Sequence, residues 1–310
     1  MTALPASSNT LRTTAPPLAA PVPSTPDGFC IGTRDAAPDP RTHAYRKDLA
    51  ELSLAGKIVV PRYATAVLRQ PCVPSAALRN APSDDAEAVS ELLMGEDFWL
   101  LDAAGGWAWG RCGHDGYVGY LPEAALAAPR GAHSHIVSSI SALVFAAPDI
   151  KAPVRASWPA GARVGGAMEG DFLATTAGFV HRRHLRLLDH AASDPVAIAE
   201  GLVGVPYRWG GRSGDGVDCS GLVQVALAAA GIAAPRDSDQ QRALGQAVEP
   251  DAPLARGDLV FFPGHVGMMV DGERLIHANA YWMAVTVEPL QAVEQRHPAH
   301  PQAVTAIRRL

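Results

Sequence analysis

At 310 residues the chain is long enough for two or three compact domains, and its 48% apolar and 6% aromatic content is that of an ordinary globular protein. The formal charge of −5 carries no block of like charges, which excludes nucleic acid or an anionic membrane as the main partner. A small polar or zwitterionic substrate fits this balance better.

Residues 1–30 are rich in Ala, Pro, Ser and Thr and lack the basic start and unbroken apolar run of a secretory signal. No stretch approaches the roughly 20 apolar residues of a membrane span. The expectation is a cytoplasmic protein with no integral membrane association. Residues 1–56 read as a disordered tail and an N-terminal arm. The arm, from Asp39, ends in a helix-like stretch closed by Gly56.

Between 57 and 190 the chain breaks into short alternating runs punctuated by Pro, Gly and Asp, such as DFWLLDAAGGWAWGRCG and ARVGGAMEGDFLATTAGFVHRRHL. Strands of about five residues with turn residues between them predict small β barrels. The pattern occurs twice, with an apolar strand, a Pro-containing turn, a Gly-bounded hairpin and a closing strand. Two barrels follow, over 57–130 and 131–190.

Residues 191–310 read differently. Ser193-Asp194-Pro195 opens a helix that runs toward Gly204, and a loop, VPYRWGGRSGDGVD, feeds a second helix, CSGLVQVALAAAG, stopped at Gly231. Three strand-like runs follow, GDLVFF, HVGMMVDG and RLIHANA. Helices first and strands second predict an α+β domain.

Cys219 stands where the glycine-rich loop becomes a helix. Unpaired N–H groups and about half a positive charge gather there, and both favour a thiolate. Asp218 can cap the helix, Gly221 leaves room for a substrate, and the Cys219 N–H is a candidate oxyanion donor. By position alone, the reading of Cys219 as a small apolar residue filling a helix-loop junction ranks ahead, since that is what most free cysteines do. His265 follows the Pro263-Gly264 turn at the start of a strand, and His277 lies on the next strand-like run. A thiol at a helix start facing a sheet-borne imidazole, with a third group orienting it, is the papain-like arrangement of a cysteine nucleophile. The remaining cysteines, Cys30, Cys72 and Cys112, form no CxxC pair, so neither a metal, a redox motif nor a disulfide framework is expected.

The ordered set PYRWGG–DCSG, PRDSDQQ, GDLVFF–GHVGMMV and LIHAN resembles the NlpC-type cell-wall cysteine peptidases. SELLMGEDFWLLDAAGGWAWG and DGYVGYLP resemble the bacterial SH3-like domains that precede such peptidases. The resemblance implies a papain-like α+β domain behind two SH3-like barrels, with Cys219 as nucleophile, His265 as base and His277 orienting it. It implies cleavage between γ-D-glutamate and a diamino acid in short peptidoglycan peptides with a free N-terminal L-alanine, in murein peptide recycling, without a cofactor. Carried over by position, Tyr207 lines the oxyanion site, Asp218 meets the substrate ammonium, and Ser220 hydrogen-bonds the bound peptide. Arg236, Asp237 and Ser238 face its acidic and diamino-acid part, and Glu91 and Tyr117 of the first barrel close the pocket around the ammonium. Read without the resemblance, the 236–238 loop is an ordinary polar turn, and Tyr117 is barrel core. An amidase or acyltransferase on the same scaffold, or a wall-peptide binding module without catalysis, are the alternatives.

Overall fold

The computed structural model describes residues 29–30, 37–249, 252–299 and 301–310; the expected disordered tail lies for the most part outside these. The N-terminal arm is not helical. Short strands at Tyr45–Arg46, Leu49–Glu51 and Arg62–Ala64 form a small sheet, with a single 3-10 turn at Leu52–Leu54. Tyr45, Ala50, Leu54, Ile58 and Val60 bury together, so pairing with residues beyond Gly56 wins over local helix propensity.

The first barrel is a seven-stranded sheet built from strands between Val67 and Ala127. Its central hairpin, Phe98–Ala104 with Trp107–Cys112, turns on Gly105 and Gly106, both at positive φ (60° and 82°). That is the conformation a two-residue hairpin loop needs and only glycine takes cheaply. Leu78, Leu92, Phe98 and Leu121 fill its core. The second barrel, between His135 and Leu187, has a three-stranded and a five-stranded sheet around Val144, Trp158, Leu173 and Val180. Each barrel closes through a 3-10 turn, Glu123–Ala125 in one and Arg182–His184 in the other.

The C-terminal domain begins with helix α1, Pro195–Glu200, capped by the Asp194 carboxylate on the Val196 N–H at 2.9 Å. Helix α2, Cys219–Ala229, ends at Gly231 (φ 77°), and a short helix α3 spans Ser238–Gln241. Six antiparallel strands follow: β1 Gln246–Ala247, β2 Leu259–Phe262, β3 His265–Met269, β4 Arg274–Asn279, β5 Ala284–Pro289 and β6 Ala306–Arg309. Their order across the sheet is β1-β6-β2-β3-β4-β5, and helix α4, Leu290–Arg296, follows β5. Strand alternation sends Leu259, Phe261, Val266, Met268 and Ile276 against α1 and α2. Val260, Phe262, Met269 and Leu275 pack on the other face with Val293 of α4. The sheet is thus buried on both sides, which holds β3 and β4 rigidly under the start of α2.

Candidate active site

The loop Tyr207–Asp218 folds back on itself. Arg212–Ser213 pairs with Gly216–Val217 in a two-stranded ribbon, and Gly210 takes φ 75°. Asp218 ends the loop as the N-cap of α2, accepting the Gly221 N–H at 2.7 Å. Cys219 is therefore the first residue of α2, and it is buried. Gly221 is required by the fold: a Cβ there would lie 2.3 Å from the Gly211 carbonyl oxygen. The expectation that it makes room for a substrate is corrected; the space is taken by the loop.

His265 opens β3 after the Pro263-Gly264 turn, where Gly264 takes φ 70° and Phe262 pairs with His265 across the hairpin. Its Nε2 lies 2.8 Å from His277 Nδ1 on β4. His277 Nε2 lies in turn 2.8 Å from Glu288 Oε1 on β5, and both Glu288 oxygens accept from the Arg296 guanidinium of α4, each at 2.5 Å. The N–H groups of Val266, the residue after His265, and of Ser220 act on the Cys219 sulfur in the direction of its thiolate. Among the described residues no hydrogen bond joins that sulfur to the His265 ring; catalytic hydrogen bonds are often long before substrate arrives.

Electrostatics set both partners neutral at rest. Burial, helped by the Asp218 carboxylate, pushes the Cys219 thiol up to about 12 despite the N–H groups of Val266 and Ser220 and the Arg236 charge. Burial, then the charges of His277, His297 and Arg296, holds His265 down to about 3. The helix start alone favours a thiolate, but desolvation and the adjacent carboxylate outweigh it. Tyr207 packs against the same core, and its hydroxyl is pushed up by burial and then by Cys219 and Asp218, so it stays protonated.

The carryover positions fall into two groups. Asp218 Oδ1 accepts from Gly221 N, Arg236 Nη1 and Ser220 Oγ, and Oδ2 accepts from Gly210 N and Arg236 Nη2. Arg236 is buried and also donates to Ser220 Oγ at 2.9 Å and to Ser90 Oγ of the first barrel at 3.2 Å. The expected role of Arg236 as partner for a substrate carboxylate is thus corrected. Its guanidinium is spent on Asp218, because an unpaired carboxylate at that depth would be costly. The second group joins barrel to peptidase domain. Tyr117 keeps its ring in the barrel core and donates its hydroxyl to Asp237 Oδ2 at 2.9 Å, where Arg41 of the N-terminal arm also pairs at 2.8 Å. Ser238 is the first residue of α3, next to Asp237. Glu91 is buried on the barrel strand Ala88–Leu93, accepting from Arg212 N at 2.9 Å and from the half-exposed Arg208 at 2.6 Å. A cavity of about 240 Å³ opens here, lined by Ser90, Glu91, Arg208, Trp209 and Gly210 among others.

Glu288, Arg296 and Arg212, like Arg41 and Ser90, lay beyond the sequence reading. Glu288 sits two residues past Thr286, the register partner of His277, so strand alternation puts it on the same side of the sheet; nothing local marks it. Arg212 reaches Glu96 of the barrel at 3.1 Å from Nη1. Close by, Cys112, His114 and Asp115 bring potential metal-binding atoms within 4.8 Å of one another. The Asp115 carboxylate is already held by the Tyr117 N–H and Gln224 Nε2, each at 2.9 Å. The Cys112 thiol is kept protonated, first by burial. These are the groups of a polar domain interface.

Residues 204–299 match the NlpC/P60 family, and residues 78–126 match the bacterial dipeptidyl-peptidase SH3 domain. The chain is 33% identical over 127 residues to a gamma-D-glutamyl-L-lysine dipeptidyl-peptidase of Bacillus cereus, covering 38% of each protein. It is 33% identical over 124 residues to dipeptidyl-peptidase 6 of Lysinibacillus sphaericus, covering 38% of this chain and 45% of the relative. The match thus spans less than half the length of these relatives. A solved NlpC/P60 family protein of Bacillus cereus superposes with a TM-score of 0.66 at 21% identity, over 78% of this chain and 99% of that one, which shows a common fold. The C-terminal part of the chain is an NlpC/P60 domain, and the first barrel is an SH3 domain of the dipeptidyl-peptidase type.

Proposed function

We propose that this NlpC/P60-domain protein is a cysteine peptidase that hydrolyses the bond between γ-D-glutamate and a diamino acid in short peptidoglycan peptides with a free N-terminal L-alanine. Such peptides are products of wall turnover, so the reading includes recycling of released peptides in the cytoplasm. The observation that carries it is the seating of Cys219 at the start of α2, which packs against the strand that His265 opens, with His265 bonded to His277 at 2.8 Å.

In this reading His265 takes the Cys219 proton as a substrate enters, and the thiolate attacks the γ-glutamyl carbonyl carbon. The developing oxyanion is met by the Cys219 N–H and the Tyr207 hydroxyl. The His265 imidazolium returns its proton to the leaving amine, releasing the diamino acid and leaving a thioester. Water, deprotonated by His265, then displaces Cys219, whose sulfur takes that proton back from His265 as the dipeptide leaves. Every step moves one proton between named groups and needs no cofactor.

The free amine is recognised at the barrel side of the cleft. Asp218 is saturated by its donors, so direct pairing with the ammonium falls to Glu91, whose Arg208 partner is exposed enough to swing aside. Asp218 contributes from behind, through its charge. A peptide with a blocked amine brings no cation to replace Arg208 on Glu91, so it gains no pairing here and meets the Arg208–Glu91 pair still in place, which disfavours it. Cys219→Ala tests the chemistry: loss of turnover with retained fold supports it, and turnover at the rate of the unmodified protein sinks it.

A further inference from the structure

We propose that Glu288 is a positioning residue that fixes the tautomers of both histidines, so that His265 presents a bare nitrogen to Cys219. The inference deepens the peptidase reading and rests on it for its catalytic meaning, but its structural content stands independently.

Glu288, His277 and His265 form a single hydrogen-bonded line along which the protons can be counted. An ionised carboxylate only accepts. Glu288 is ionised: burial pushes its carboxyl up, but hydrogen bonds from Arg296, Trp282 and His277 hold it down at about 2. The 2.8 Å contact between His277 Nε2 and Glu288 Oε1 therefore requires the proton on His277 Nε2. His277 is itself shifted down, chiefly by burial, so its ring is neutral and Nδ1 holds a lone pair. The 2.8 Å contact between His277 Nδ1 and His265 Nε2 then requires the proton on His265 Nε2. In a neutral His265 this leaves Nδ1 unprotonated. That is the form a general base must have; the opposite tautomer would place an N–H there and could take no proton.

The anchor is overdetermined, as a positioning role needs. Arg296 grips both oxygens of Glu288, and Thr286 Oγ1 adds a donor to Oε1 at 3.1 Å. The Arg296 guanidinium stacks at 4.6 Å over the Tyr281 ring, which meets Trp282 edge-on at 4.8 Å. Glu288 has little freedom to rotate away from His277. Removing it leaves His277 free to take either tautomer, and the error passes directly to His265.

The test pairs turnover with imidazole ¹⁵N NMR of the full chain, using Glu288→Ala and the shape-preserving Glu288→Gln. The unmodified protein is expected to show His265 and His277 both protonated on Nε2 at neutral pH. Glu288→Ala is expected to mix the tautomers of both rings and lower kcat about 10- to 100-fold with KM unchanged, the scale of losing an outer partner of a functional histidine. Glu288→Gln, whose amide oxygen can still accept at the Oε1 position, is expected to recover most of that loss. If the unmodified rings carry their protons on Nδ1, or Glu288→Ala leaves both tautomers and kcat unchanged, the proposal is overturned. The NMR readout needs no turnover, so failure of the peptidase reading would show separately, as no cleavage by the unmodified protein or as full activity in Cys219→Ala, with the tautomer result still deciding the role of Glu288.

Discussion

Arg236 and Asp218 form a buried two-armed ion pair at the first turn of the nucleophile helix, with Arg236 Nη1 at 3.0 Å from Oδ1 and Nη2 at 2.5 Å from Oδ2. The pair connects the Asp218 cap to Ser90 of the first barrel, so the helix start and the domain interface share one network. Cutting one arm strands the other charge. Arg236→Ala is expected to destabilise the protein by about 3–5 kcal/mol, read as a lower urea midpoint at constant slope. A change under about 1 kcal/mol would mean that Asp218 finds another cation.

Gly221→Ala should damage site and fold together, because the new methyl meets the Gly211 carbonyl oxygen at 2.3 Å. An overpacking loss of about 1–3 kcal/mol is expected, with reduced alkylation of Cys219 as the loop shifts. Thermal unfolding and iodoacetamide kinetics measure the two parts.

Arg208→Ala should improve binding of a free-amine peptide. Arg208 competes with the substrate ammonium for Glu91, and half-exposed pairs of this kind are worth on the order of 1 kcal/mol, or roughly five-fold in affinity. A lower KM with unchanged kcat is the expected split. A raised KM would show that Arg208 holds the substrate rather than the carboxylate.

The pH dependence of stability has a definite sign. His265 in the fold is held down to about 3 and His277 is also lowered, against about 6.5 in an unfolded chain. Below pH 6.5 the unfolded state takes up protons that the fold refuses, so stability is full above that pH and falls as pH drops toward 3. The depressed carboxyls of Glu96 and Glu288, both at about 2, add a loss that begins only below about pH 4.5. Urea unfolding should weaken from pH 7 to pH 5, and His265→Gln should flatten that interval while leaving the steeper acid limb. No change in slope over pH 5–7 would contradict the assignment.

What the sequence disclosed was local. A capping Asp before a helix-start cysteine, and a Pro-Gly turn before a histidine, are short-range signals, and they placed Cys219, His265 and His277 on their elements. The Gly105-Gly106 hairpin and the stop at Gly231 are of the same kind. What stayed hidden depends on residues far apart in the chain. Arg236 as partner of Asp218 is a packing outcome, as is the reach of Arg41 to Asp237 at 2.8 Å across 196 residues. Strand β6 escaped because AIRR is short and half charged, and only the sheet beside it makes it a strand; AVTVEP of β5 carries an alternating pattern that was not singled out. The helix start misled on the thiol, since desolvation and Asp218 cannot be weighed before the burial is known.

The central claim is tested most directly by incubating the protein with L-Ala-γ-D-Glu-meso-diaminopimelate and with its N-acetylated form, following both by mass spectrometry. The account predicts release of diaminopimelate from the free peptide alone, and none from either with Cys219→Ala. Cleavage of both peptides would keep the nucleophile and discard the ammonium site at Glu91. Cleavage of neither by the intact protein would contradict the peptidase reading itself.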